Sequence, residues 1–170
     1  MPLIKNGKVV DDVWAHVEDG HELSPGGCFT VSLGRFLSEY DVLVARNRSI
    51  GVRLAVSDDP ALLVPHLDKI HVIELQFPKY TDGRAFSQAQ LLRRRHGYKG
   101  EIRAVGQVLR DQLRLMIRSG FDAMVIDESD AQAVYDFSAH EFSEFYQAAT
   151  DTADTIFLKR QRKRQEKAAE

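Results

Sequence analysis

Cysteine is nearly missing from this chain: Cys28 is the only one in 170 residues. One thiol rules out an intrachain disulfide and any cysteine-built zinc or iron–sulfur site within one chain. Cys28 lies in a Gly-rich turn with no histidine near it in sequence, the setting of a structural thiol rather than a nucleophile. His16, His21, His66, His71, His96 and His140 form no HxH or HxxxH pair, so no metal site is expected. The glycines make neither GxGxxG after a strand nor the P-loop pattern, and Ser87 lacks a nucleophile elbow. The cofactor is therefore unknown from motifs. No apolar run approaches the ~20 residues that span a bilayer. The opening MPLIKNGKVVDD has no apolar signal core. The expected location is cytoplasmic, with no membrane partner.

Net charge is also scarce, at −2, which gives no global pull toward nucleic acid. Its distribution is uneven. From Arg84 to Arg118, nine Lys/Arg face two acids, Glu101 and Asp111, a local excess of nine minus two, or +7. The basic tail, from Lys159 to Arg164, has no interleaved aromatics and reads as a solvated tail rather than a nucleic-acid contact. With 44% hydrophobic and 28% charged residues, the chain can bury a core. Residues 1–150 are expected to form one α/β domain, with 1–30 a β appendage and 151–170 a charged tail, helical or disordered.

The order of elements follows from period and punctuation. Leu3-Ile4 and Val9-Val10 flank Asn6-Gly7 and predict a hairpin. Cys28–Val31 predicts a strand. Leu33, Phe36, Leu37, Tyr40 and Val44 share one stripe of a helix over 32–48. Strands are predicted over 51–56, 71–77, 100–105 and 121–126. Between and after them, helices are predicted from Asp59-Pro60, over 85–96, over 107–119 with Gly120 as its stop, and from Ser129 to about Ala149. Alternating strands and helices imply a parallel sheet with right-handed crossovers. The length is too short for a full eight-fold barrel, so the expected form is a partial, half β/α-barrel, with a small open parallel sheet as the alternative. A homodimer would cover an exposed edge or an open mouth.

Either architecture puts ligands at the carboxyl ends of the strands. The most chemically loaded of these ends is Thr81-Asp82-Gly83-Arg84. Gly83 lets an anion approach the backbone, and Arg84 offers a planar fork to a carboxylate, phosphate or sulfur oxyanion. Asp82 would orient Arg84, act as a base, or cap the next helix; the plain alternative is a loop and helix start with Arg84 on the surface. Arg103 falls inside a strand that should be apolar on both faces, so it needs a partner (Glu101, Asp111 or Glu74) or a cavity facing an anion. Asp111 and Gln112 open the following helix near the same end. Arg110, Arg114 and Arg118, four residues apart, are expected to make one exposed row.

The run from Phe77-Pro78 through Asp82-Gly83-Arg84, Phe86-Ser87, Ala89, Leu91-Leu92-Arg93, Gly97-Tyr98, Gly100 to Ala104, Gly106, Asp111-Gln112 and Gly120-Phe121-Asp122 resembles the signature of a bacterial family, domain of unknown function 934. Leu3-Ile4, Gly7, Asp12, Trp14 and Gly51 to Leu54 also resemble it, so the likeness covers about residues 1–140. Members are described as oxidoreductases involved in sulfite reduction, through genome neighbourhood with a sulfite/nitrite reductase haemoprotein and a sulfate-assimilation reductase. The resemblance implies a role in assimilatory sulfur metabolism and that haemoprotein as a partner. It brings no catalytic residue. Two functions follow. One is an accessory of the reductase with an Arg-lined anion site; the other is a stand-alone half-barrel enzyme acting on a small anionic substrate.

Overall fold

The computed structural model describes residues 1–24, 26–151 and 154–169. Asn6 and Gly7 both take positive φ, 49° and 83°, which is what a two-residue hairpin turn requires. The turn joins β1 (Leu3–Lys5) to β2 (Lys8–Val10). The hairpin is thus present as expected, and the main sheet absorbs it. β1 pairs antiparallel with β8 (Ala123–Val125) at one edge. β3 (Trp14–His16) pairs parallel with β4 (Cys28–Ser32) at the other. Between them β5 (Ile50–Leu54), β6 (Ile70–Phe77) and β7 (Glu101–Gly106) continue the parallel ladder, in the order β2-β1-β8-β7-β6-β5-β4-β3.

Eight strands laid flat would extend about 34 Å at ~4.8 Å per step. Yet the edge strands β2 and β3 are joined only by Asp11, Asp12 and Val13, a link that reaches at most ~15 Å. The sheet must therefore curl, and it forms an open half-barrel with helices packed on it. Leu54, Ile73, Leu75, Phe77, Ile102 and Ala104 on one face join the core beneath those helices. The opposite, concave face carries Thr30, Arg53, Glu74, Glu101 and Arg103. Gly51 makes room there: a Cβ on it would lie 2.6 Å from Thr30 Cγ2 and 3.1 Å from Trp14 Cζ3.

The helices are shorter than their periodicity suggests. The stretch 32–48 divides into α1 (Leu33–Ser38) and α2 (Tyr40–Ala45) at Glu39, whose ψ of 16° leaves the helical track. Leu33, Phe36 and Leu43 are buried, while Leu37 is exposed. Asp59 caps a 3₁₀ helix, Pro60–His66, rather than an α-helix; Pro65 inside it removes a donor. α3 (Arg84–Gln90) starts after Gly83 and continues as a π turn over Leu91–Arg95. Gly106 ends β7, and the helix expected over 107–119 is shorter: a 3₁₀ turn, Arg110–Gln112, leads into α4 (Leu113–Ser119), which Gly120 stops at φ 104°. α5 (Ala131–His140) is capped by Asp130 and ends well before Ala149. A final α6 spans Ile156–Ala169.

The early end of α5 explains the arginine row, which is engaged rather than free. Arg114 donates to the carbonyls of Ala139 and Phe142, and Arg118 donates to that of Gln147. Arg114 and Arg118 also stack over Phe145, at 4.5 and 3.8 Å from its centroid, and Arg110 lies over Phe137. The row binds the segment after α5 to α4.

Candidate functional site

Carboxyl-end loops follow the parallel strands, and the long one after β6 is built from its fastenings upward. Gln107 Oε1 accepts from the Tyr80 backbone N–H at 3.2 Å, and Gln112 Nε2 donates to the Tyr80 carbonyl at 2.6 Å. The Asp82 N–H closes a turn onto the Lys79 carbonyl. Arg84 then folds back on Asp82: Nε donates to Oδ1 at 3.0 Å and Nη2 to Oδ2 at 2.7 Å. This fork holds the Asp82 carboxyl below the usual carboxylate range, and the carboxylate in turn raises the Arg84 guanidinium. Gly83 is the residue before α3, with φ −84°. Lys79, Tyr80 and Arg84 face solvent. The loop is a pinned, exposed ridge.

Of the expected site residues, the structure gathers Asp82, Gly83, Arg84 and Gln112 around this ridge. Asp111 is exposed on the 3₁₀ turn beside Gln112. Arg103 lies elsewhere, 1% exposed on the concave face. Its Nε and Nη2 each contact Glu101 Oε1 at 2.8 Å, and its Nη1 donates to both oxygens of Asp12. Glu74 Oε1 lies 3.8 Å away. Two of the three suggested partners, Glu101 and Glu74, therefore surround it; Asp111 does not. Burial opposes the Arg103 charge, and the Glu101 and Asp12 carboxylates more than offset it, so its pKa stands above the ordinary value.

The concave face is a row of alternating charges set by strand register. Arg53 is opposite Glu74, and Glu74 is opposite Arg103. Arg53 Nε donates to Glu74 Oε2 at 2.8 Å, and Lys5 Nζ meets Glu101 Oε2 at 2.7 Å. Three cations (Lys5, Arg53, Arg103) balance three carboxylates (Asp12, Glu74, Glu101). Such a compensated row is what makes burial of these charges tolerable.

At the mouth of this row, under the ends of β4 to β6, lies a cavity of about 210 Å³ lined by His16, Ser32, Arg53, Asp58 and Gln76 among others. Thr30 donates to Glu74 Oε2 at 2.9 Å and touches His16 Nδ1 at 3.1 Å. Burial, with Arg53 next, lowers the His16 pKa; Glu74, Glu18 and Asp19 act the other way but less. The two carboxyl-end features are mechanically joined: buried Gln88 on α3 donates to the carbonyls of Ala55 and Asp58 at 2.8 and 2.9 Å. Asp12 and Arg53 stand among the residues that resemble the family but were not read as site residues, and neither were His16 and Thr30. Glu74 was visible as a charged residue in an apolar strand, and Arg53 carried the same signal one strand earlier.

Among the described residues, no group of three or more His, Cys, Asp or Glu is placed to hold a metal ion, and no helix is long and apolar enough to cross a membrane. No curated protein matches the chain. A family model, described as a bacterial protein of unknown function (DUF934), matches residues 51–157. The match holds β5 to β8, the Pro78–Arg84 ridge and the Arg53, Glu74, Glu101 and Arg103 row; Asp12, His16 and Thr30 lie ahead of it. It covers well over half of the chain, and the protein belongs to the DUF934 family.

Proposed function

We propose that this protein is an accessory of sulfite reduction that docks a sulfite/nitrite reductase haemoprotein through the ridge after β6. The observation that carries the reading is the state of Tyr80 and Arg84. Both are exposed, yet their backbone and fork are already fixed by Gln107, Gln112 and Asp82. Tyrosine and arginine are the side chains that most often anchor protein interfaces. Pre-fixing them lowers the ordering cost of association. Asp82 takes only one edge of the guanidinium, so the other edge is available to a carboxylate on the partner. Membership of the family supports the metabolic setting through the sulfite-reduction association that the sequence resemblance implies.

A second reading, a stand-alone half-barrel enzyme for a small anionic substrate, is favoured by one observation: the cavity under His16 and Arg53 at the carboxyl ends of β4 to β6.

The test has two parts. A deletion strain should fail on sulfate and sulfite as sole sulfur source and grow on sulfide. Tagged protein should capture the reductase, and Tyr80→Ala with Arg84→Glu should abolish capture. Normal growth of the deletion strain on sulfite removes the sulfite-reduction role. Capture that survives the double substitution removes the ridge. A visible flavin or haem band in the purified protein would move the reading from accessory to direct redox enzyme.

A further inference from the structure

The hydrogen bonds around His16 fix more than its position. The Thr30 hydroxyl has one proton and gives it to Glu74 Oε2 at 2.9 Å. The 3.1 Å contact between Thr30 Oγ1 and His16 Nδ1 must then run from Nδ1–H to the hydroxyl lone pair. In neutral His16 the proton therefore sits on Nδ1, and the lone pair sits on Nε2. Glu74 is 3% exposed and Thr30 fully buried, so the orienting chain His16–Thr30–Glu74 is shielded from water.

The opposite wall supplies donors. Arg53 uses Nε on Glu74, and no described residue accepts from its Nη atoms. The Gln76 amide also lines the cavity and has no hydrogen-bond partner among the described residues. Arg35 donates to the Glu18 carbonyl and is paired with Glu39. The other charged neighbours are acidic: Glu18 Oε1 lies 3.7 Å from His16 Nε2, Asp19 holds the Ser32 hydroxyl, and Asp58 accepts the Ala55 N–H. A dianion would be repelled by these three carboxylates. A ligand with an ionised oxygen and an O–H satisfies both walls.

We infer that this cavity binds a small monoanionic oxyanion that keeps a proton, with Arg53 and Gln76 donating to its ionised oxygens and His16 Nε2 accepting from its O–H. The site is separate from the docking ridge, and capture of the reductase does not depend on His16.

The experiment uses the full chain with ¹⁵N-labelled histidine and two probes, inorganic phosphate and sulfite. The His16 Nε2 resonance should shift saturably near pH 6 with at least one probe. Phosphate binding should weaken toward about pH 8 as phosphate loses its second proton. Gln76→Leu, which breaks no bond within the protein, should weaken the binding about tenfold by removing a donor to a charged oxygen. His16→Phe should weaken phosphate binding at about pH 6 by removing the acceptor for the ligand's O–H, while the loss toward about pH 8 persists because the dianion still meets the three carboxylates. The inference is overturned if neither probe shifts His16 saturably, if phosphate binding strengthens with pH, or if Gln76→Leu leaves the affinity unchanged.

Discussion

Asp12 and Arg103 stand 91 residues apart in sequence, and the Asp12 carboxylate accepts two hydrogen bonds from Arg103 Nη1, at 2.8 and 2.9 Å. Asp12 belongs to the three-residue link between the sheet edges, and Arg103 to β7 within the sheet. The pair therefore ties the link down across the concave face. Removing Arg103 leaves Glu101 and Glu74 buried without their shared cation, so Arg103→Met should destabilise by about 3–5 kcal/mol. Asp12→Ala leaves Arg103 its contacts with Glu101 and should cost clearly less. Urea denaturation of both variants checks the order; equal losses would mean that the link, not the row, dominates.

Gly51 offers a test of packing on the same face. A methyl group there would meet Thr30 Cγ2 at 2.6 Å and both Trp14 Cζ3 and the Val72 carbonyl at 3.1 Å. Gly51→Ala should destabilise by about 1–3 kcal/mol. Thr30→Ser removes the nearest obstacle and keeps the hydroxyl that joins His16 to Glu74. The double variant should therefore recover part of the loss. Trp14 is the only tryptophan, so its emission reports the local change directly during thermal melts.

Tyr98 should govern an alkaline limb of stability. Its ring is buried and its hydroxyl donates to the Ile70 carbonyl. Burial pushes its pKa well above the ordinary 10. The unfolded chain loses that proton first, so the stabilisation is complete below about pH 10 and falls as pH rises toward the folded value. Tyr98→Phe should cost about 1 kcal/mol at neutral pH through the lost hydrogen bond. It should also flatten the decline above about pH 10 relative to wild type. Chemical denaturation at stepped alkaline pH measures both effects.

What the sequence made legible was local. The Asn6-Gly7 turn, the strand centres, Gly120 and the parallel order all follow from period and punctuation, and the structure has them. The half-barrel was legible from the chain length and the βα repeat; its edge pairing of β1 with β8 was not, because it joins residues more than a hundred positions apart. Arg114 and Arg118 look exposed by helical spacing alone; only the return of the chain at Phe145 shows what they hold. Arg103 was legible as an anomaly, a cation in a buried strand, and two of its neighbours were foreseeable. Asp12 was not, since it sits on a connector that periodicity treats as punctuation. His16 carried no sequence signal: a lone histidine gains meaning only from Thr30 and Glu74, which register places beside it.

His16 gives the last expectation, at the acid end. Its folded pKa lies below the ordinary 6.5, first because of burial and next because of Arg53. The unfolded chain therefore binds this proton more readily than the folded one. Stability from His16 is fully present above the unfolded pKa and is lost as pH falls from about 6.5 toward the lower folded value. His16→Gln removes the titration, so its stability curve should fall less steeply than that of wild type within this window. The carboxylates of the concave row remain in both proteins, so the difference between the curves isolates His16. Denaturation midpoints at stepped pH from about 7 down to about 5 measure it. Parallel curves would show that His16 meets the same environment folded and unfolded, and would remove the shielded chain through Thr30 to Glu74.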